Sequence, residues 1–132
     1  MCIIREEKAF TLVEIMIVIS IIALLASVAI PGLLRAYKES NDALAKNTLR
    51  TISVAAETYF TAHNSYPRSE DALTESDPPY LMDSYCDKEI MGFLYTCDWG
   101  NGNFYTITAT PVRPGISGSA VFSISTGGIT SW

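Results

Sequence analysis

The sequence predicts an α+β protein in which one long N-terminal helix packs on an antiparallel sheet of three to four strands. Three observations support this prediction. The 26-residue segment from Ala9 to Leu34 is apolar and contains only one charged residue. Apolar residues then recur at helical spacing as far as residue 59, and from residue 91 onward they alternate with the period of a β-strand. Helices and strands that are separated along the chain are typical of α+β domains.

The apolar segment is long enough to cross a membrane. A helix of that length rises about 39 Å, which exceeds the ~30 Å hydrocarbon core of a bilayer. Its one acidic residue, Glu14, is costly in lipid and is therefore expected to need a positively charged partner. Pro31 lacks the backbone N–H that a helix uses and Gly32 lowers helix propensity, so a kink or local melting is expected there.

The sequence Phe10-Thr11-Leu12-Val13-Glu14 follows a short charged segment and begins the apolar helix, which has Pro31 near its end. This arrangement resembles the N-terminus of type IV prepilins and type II secretion pseudopilins. The resemblance implies the pilin fold, with residues 1–9 as a leader peptide. It also implies that a prepilin peptidase/methyltransferase cuts between Ala9 and Phe10 and methylates the new amine of Phe10. The family usually has glycine before the cut, where this chain has Ala9.

For function, the resemblance implies a polymer of identical subunits. In that family the glutamate neutralises the N-terminal amine of a neighbouring subunit, so Glu14 and Phe10 are the expected assembly residues. Inner-membrane lipid would hold the subunit until an assembly platform with an ATPase extracts it. In assembled pili of similar sequence the segment before the proline often loses helicity, which implies melting near Pro31 and Gly32. A surface pilus and a short pseudopilus of a type II secretion system remain open as alternatives.

Two cations, Arg5 and Lys8, predict a cytoplasmic N-terminus and a C-terminus outside the membrane. The precursor is therefore expected in the inner membrane as a single-pass protein, and later in an extracellular pilus or a periplasmic pseudopilus. An ordinary secretory signal is the competing interpretation, because Ser27-Val28-Ala29 offers a small-x-small cleavage pattern. The apolar segment exceeds the usual signal core and contains Glu14, which favours the prepilin interpretation. The two interpretations differ in the mature N-terminus, Phe10 or Ile30.

The assembly helix is expected over residues 10–34, and an amphipathic continuation over residues 35–62. One apolar stripe follows steps of four and three residues, which is typical of a helix face packed on a sheet. Its members are Ala45, Leu49, Ile52, Ala56 and Tyr59. The segment His63-Asn64-Ser65-Tyr66-Pro67 is expected to end the helix, because the residue before proline is disfavoured in the helical region.

Residues 63–90 are expected to form an acidic loop region with a short helix capped by Ser69. Seven acids and one base lie between Glu70 and Glu89. The resemblance allows a calcium site here, because some major pseudopilins bind calcium in their heads, but no Asp-x-Asp-x-Asp-Gly loop is present. A solvated, variable loop is therefore the favoured interpretation.

Three cysteines are present, and Cys2 falls in the expected leader. Cys86 and Cys97 are expected to form a disulfide, because the domain is predicted to face an oxidising compartment. Such a bond is worth roughly 3 kcal/mol in the chain-entropy model. Two buried free thiols are the alternative.

Residues 91–132 are predicted to form an antiparallel meander of three strands followed by a short tail. The inward positions are Phe93, Tyr95, Cys97 and Trp99 in the first strand, Tyr105, Ile107 and Ala109 in the second, and Ala120, Phe122 and Ile124 in the third. Turns are expected at Gly100-Asn101-Gly102-Asn103 and at Thr126-Gly127-Gly128.

Composition and motifs disfavour several function classes. The formal net charge of −5 and the lack of a basic cluster argue against general nucleic-acid binding. His63 is the only histidine, and the sequence shows no nucleophile–base pair or metal-ligand set, so we expect no enzyme, no cofactor and no metal. A structural filament subunit is the preferred hypothesis. The alternatives are a monomeric membrane-anchored binding domain, which would tolerate Glu14→Ala, and a secreted enzyme cleaved near Ala29.

Overall fold

The computed structural model describes residues 2–3 and 8–132. Arg5, on which the predicted cytoplasmic N-terminus partly depends, lies outside the described residues, as do four other residues of the expected leader. The chain divides into two compact units, Met1–Arg35 and Ala36–Trp132. We call them the N-terminal unit and the C-terminal unit.

The expected long helix, α1, runs from Leu12 to His63 and comprises 52 residues. It contains Pro31, and the residues on both sides of that proline are helical. The helix ends where the sequence predicts, because Asn64 follows with a φ of 55° and donates its N–H to the Phe60 carbonyl over 2.7 Å. Asparagine tolerates this left-handed conformation, which ends helices.

The sheet is an antiparallel meander of five strands in the order β1-β2-β3-β4-β5. The strands are β1 (Glu89–Ile90), β2 (Phe93–Asp98), β3 (Thr106–Pro111), β4 (Phe122–Ser125) and β5 (Ile129–Ser131). The middle three are those that the sequence predicts. The two edge strands have only two and three residues, which is too short to give a recognisable alternation. The expected tail is therefore β5, which pairs with β4.

The core of the C-terminal unit forms between α1 and the inner face of the sheet. The predicted stripe is confirmed, because Ala45, Leu49, Ile52 and Ala56 are at most 1% exposed and the fifth member, Tyr59, is partly buried against the same core. The sheet contributes the buried side chains of Phe93, Tyr95, Ile107, Ala109, Phe122 and Ile124. Sixteen apolar residues form this one cluster, so the sheet and the second half of α1 share a single core.

Two local expectations differ from the structure. Ala120 is exposed and lies before β4, because the backbone N–H of Ser119 donates to Asp42 Oδ1 over 2.9 Å and holds the preceding loop on α1. Ser69 does not cap the short helix α2 (Asp71–Thr74). Glu70 occupies the N-cap position, and its side chain makes no cap hydrogen bond.

Candidate functional site

Thr11 and Glu14 form a reciprocal hydrogen-bonded cap at the start of α1. The Thr11 carbonyl accepts from the N–H of Ile15 over 3.3 Å, which makes Thr11 the N-cap residue. The Glu14 N–H donates to Thr11 Oγ1 over 3.2 Å, and the Thr11 N–H donates to Glu14 Oε2 over 2.8 Å. These two bonds satisfy backbone N–H groups that the first turn leaves without intrahelical partners.

Only one oxygen of the Glu14 carboxylate takes part in this cap. Thr11 Oγ1 also donates to Oε2, over 2.9 Å. Within the described residues, Oε1 accepts no hydrogen bond. The carboxylate is thus held in place by its own chain while one oxygen stays open to a donor from elsewhere.

The capping role of Glu14 was legible in the sequence, although we did not predict it. Thr-x-x-Glu immediately before an apolar run is the signature of a capping box. We interpreted Glu14 only as a charge that needs a partner. The structure therefore gives Glu14 a second, local role, and any test of the first role must separate the two.

Ala9 and Phe10, the residues of the expected cut, lie before the first turn of α1. Both are exposed, and the Phe10 side chain is 82% exposed. A peptide bond outside helix and sheet is open to a peptidase without unfolding of the element that follows. An amine created at Phe10 would lie next to Thr11 in the chain.

The N-terminal unit exposes most of its large apolar side chains. α1 includes a window of 18 residues that is apolar enough to cross a membrane, and no part of that window is buried by the residues that the structure describes. The exposed residues include Leu12, Val13, Ile17, Ile21, Leu24, Val28 and Leu33. Such a surface requires lipid or other protein to cover it.

Pro31 and Gly32 interrupt this surface. Pro31 cannot donate to the carbonyl of Ser27, and the Ser27 hydroxyl donates to the Leu24 carbonyl over 2.7 Å. A Cβ added at Gly32 would meet no atom of the described part of the chain within 4 Å. Packing within the chain therefore does not require glycine at this position.

Cys86 and Cys97 form the expected disulfide, with a Cα–Cα distance of 5.6 Å. Glu70 also holds the segment around Cys86 in place. Its carboxylate accepts from Ser84 Oγ over 2.7 Å and from the backbone N–H groups of Tyr85 and Cys86. Glu70 is only 8% exposed, so this acid is not part of the solvated loop that the sequence suggests.

Glu57 of α1 is hydrogen-bonded to the residue before β3 and to the turn between β4 and β5. Its Oε1 accepts from the Tyr105 hydroxyl over 2.8 Å and from the Gly127 N–H over 2.8 Å. Ser53 Oγ lies 2.8 Å from the Tyr105 hydroxyl. Burial raises the pKa of Tyr105 to about 12, and Glu57 contributes to the rise, so the phenol stays protonated and can donate.

His63 has a local role. Its Nδ1 lies 3.1 Å from the Tyr59 carbonyl, and its ring stacks on that of Tyr59 with centroids 4.0 Å apart. No group of three or more His, Cys, Asp or Glu side chains suitable for a metal occurs among the described residues.

Several known proteins are similar to this chain. A family model described as a prokaryotic N-terminal methylation motif matches residues 4–30. The type IV wide pilus major component PilA4 of Thermus thermophilus is 45% identical over 69 residues, which is 52% of this chain and 53% of that protein. The type IV major pilin protein PilA of Myxococcus xanthus is 36% identical over 61 residues, which is 46% of this chain and 28% of that protein.

The chain is also similar, over a longer alignment, to a protein of a secretion system. The type II secretion system core protein G of Aeromonas hydrophila is 32% identical over 104 residues, which is 74% of this chain and 71% of that protein. The chain spans about half or less of the length of the two pilus proteins. No solved structure matches significantly.

Proposed function

The chain belongs to the family of type IV pilins and type II secretion pseudopilins, and from this membership we propose that it is a structural subunit of a pilus or pseudopilus filament. One observation carries the proposal. The part of α1 from Leu12 to Arg35 has an uncovered apolar surface, and its single acid, Glu14, is held at the helix start with one oxygen open. A filament core made of many such helices would cover this surface.

Processing precedes assembly. A prepilin peptidase/methyltransferase cuts between Ala9 and Phe10 and methylates the Phe10 amine. Before the cut, the precursor spans the inner membrane once, with residues 1–9 on the cytoplasmic side. The accessible, non-helical backbone at Ala9 and Phe10 supports this step.

In the filament, Glu14 pairs with the Phe10 amine of a neighbouring subunit. Thr11 holds Oε2, so Oε1 is the oxygen that receives the neighbour's amine. At an effective dielectric constant of about 20, the attraction of unit charges ~4 Å apart corresponds to roughly a thousandfold in an association constant. Desolvation of both groups cancels part of that attraction. The pair sets the vertical register of each new subunit, while the apolar residues of 12–34 supply the bulk of the contact.

Assembly also involves partners and a local change in the helix. An inner-membrane platform with an ATPase extracts the subunit from lipid. Within the fibre, α1 loses helicity before Pro31 and Gly32, where the proline has removed one hydrogen bond and glycine is not needed for packing. The relatives' names describe pilus and secretion-system components, and we propose no enzymatic activity for this chain.

A pilus and a pseudopilus each have one observation in their favour. The highest of the three reported identities is to a pilus component, whereas the longest of these alignments is to a type II secretion core protein. A deletion strain separates the two functions. Loss of sheared surface fibres indicates a pilus, and loss of protein export with intact surface fibres indicates a pseudopilus.

Mass spectrometry of the filament subunit tests the proposed function itself. We expect a mature chain that begins with N-methylated Phe10 and is recovered from fibres visible by electron microscopy. A mature chain that begins at Ile30, or an uncut chain found only as a monomer, would overturn the proposal.

A further inference from the structure

One end of the C-terminal unit exposes apolar side chains from three separate segments. Tyr37 lies on α1, Met91 in the turn between β1 and β2, and Val112 and Ile116 in the loop between β3 and β4. We call these four residues the basal patch. Their side chains are between 47% and 61% exposed. Tyr37, Val112 and Ile116 line one open cleft of about 370 Å³, which Gly92, the neighbour of Met91, also lines.

The loop that carries Ile116 is well ordered by hydrogen bonds. The N–H groups of Ile116 and Ser117 donate to the Arg113 carbonyl over 3.0 and 2.9 Å, and the Arg113 N–H donates to Ser117 Oγ over 3.0 Å. Asn41, which is 6% exposed, donates from Nδ2 to the Ser117 carbonyl over 3.0 Å. The loop is therefore fixed to α1 one turn after Tyr37, and it presents Ile116 outward in a fixed position.

Chain connectivity restricts what can cover this patch. Tyr37 is the third residue after Leu34, the last residue of the apolar segment. Three residues span at most about 11 Å, so Tyr37 lies within that distance of Leu34 in any arrangement of the two units. When the apolar segment spans a bilayer, Tyr37 is consequently at or near the headgroup level, where tyrosine is enriched.

The charges around the patch are mixed. Arg113 is exposed beside Ile116 and lines the cleft, and Lys38 follows Tyr37 on α1. Glu89 of β1 lines the same cleft, and Glu39 also follows on α1. Cations near anionic lipid add to membrane affinity, but the main contribution of a surface of this kind comes from its buried apolar area.

From these observations we propose that the basal patch docks on the outer surface of the membrane in the unassembled subunit, with Ile116 and Val112 inserted at the headgroup boundary. The partner of the patch is the lipid surface, because the membrane-spanning segment that ends at Leu34 holds Tyr37 close to it. The contact is lost when the subunit leaves the bilayer for the filament. This inference rests on the membrane-anchored precursor of the proposed function.

Fluorescence quenching in vesicles tests the docking. The full chain with Cys2→Ser is reconstituted at low density in vesicles of phosphatidylethanolamine and phosphatidylglycerol that contain lipid with a nitroxide on the headgroup. A thiol-reactive fluorophore is placed at Ile116→Cys or, as the matched control, at Ala62→Cys. Ala62 is exposed on the same helix as Tyr37, about 38 Å further along its axis. We expect the nitroxide lipid to quench the probe at 116 several-fold more than the probe at 62.

A second variant pair uses a probe at Met91→Cys. Ile116→Asp should lower the quenching of that probe, whereas Ile129→Asp, which changes a 69% exposed side chain of β5, should not. Equal quenching of the probes at 116 and 62 would overturn the docking. So would a probe at 116 that is shielded from aqueous iodide yet unquenched by the nitroxide lipid, because that result indicates a second copy on the patch. Failure of the chain to float with the vesicles would instead contradict the membrane-anchored precursor.

Discussion

Substitutions at the helix start separate the two roles of Glu14. Glutamine at the third helical position can still accept from the N-cap N–H, so Glu14→Gln keeps the acceptor for Thr11 and removes only the charge. Glu14→Ala removes both. Thr11→Ala removes the hydroxyl that accepts from the Glu14 N–H and keeps the charge. The three variants therefore assign any assembly defect either to the cap or to the charge.

The expected magnitudes follow from the two kinds of interaction. Loss of a threonine N-cap costs about 1 kcal/mol, so amide exchange of Glu14 should accelerate by about fivefold in Thr11→Ala. Charge removal should lower fibre yield by about tenfold, because roughly a third of the pair attraction is sufficient for that factor after desolvation cancels part of it. We expect Glu14→Gln and Glu14→Ala to assemble equally poorly and Thr11→Ala to retain most of its assembly.

The assay uses each variant as the only subunit in the cell. Sheared or sedimented fibres give the yield, mass spectrometry verifies cleavage at Phe10, and hydrogen exchange in micelles reports on the first turn of α1. Normal fibre yield from Glu14→Gln would refute the charge-pairing argument. A defect confined to Glu14→Ala and Thr11→Ala would assign Glu14 to helix capping alone.

Three further variants test the fold and the helix. Tyr105→Phe should flatten the loss of stability at alkaline pH. Because burial raises the pKa of Tyr105 from its ordinary value to about 12, the neutral phenol contributes about 3 kcal/mol of stability below pH ~10, and this contribution is lost as the pH rises to ~12. Near-UV circular dichroism of unfolding at each pH measures it. Gly32→Ala should stabilise the helix by about 1 kcal/mol and slow local amide exchange, because no atom obstructs the added methyl; unchanged exchange in fibres would contradict melting there. Removal of the Cys86–Cys97 bond should cost about 3 kcal/mol in denaturant unfolding, with Cys2→Ser as a neutral control.

The main elements could be predicted from sequence because their signals are local. The 4-3-4-3 stripe from Ala45 to Tyr59 and the alternation around Tyr95 and Ile107 each report on one element, and burial in the structure agrees with both. The edge strands β1 and β5 were not predicted, because strands of two or three residues are defined by their pairing with a neighbour and not by their own residue pattern. The first half of the long helix followed from composition, since 26 nearly uncharged residues are typical of a membrane-spanning helix.

The roles of the partly buried acids could not be predicted, for a physical reason. Glu70 binds backbone N–H groups 15 and 16 residues away, and Glu57 binds the N–H of Gly127, which is 70 residues away. Backbone donors have no sequence signature, so an acid that satisfies them looks like any solvated acid. The cap formed by Thr11 and Glu14 could have been predicted, because both partners lie within one helical turn and match the capping-box pattern.

Solid-state NMR on mixed-label fibres would detect the pairing of Glu14 with a neighbour's Phe10 amine. One batch of subunits carries ¹³C in the glutamate side-chain carboxyl and the other carries ¹⁵N in phenylalanine, and fibres are assembled from both. The Phe10 amine is distinguished from backbone amides by its chemical shift. We predict dipolar dephasing between the Glu14 carboxyl carbon and the Phe10 amine at a distance of about 4 Å, which can arise only between subunits. Absence of dephasing in well-ordered mixed fibres would show that Glu14 does not pair with the amine of a neighbouring subunit.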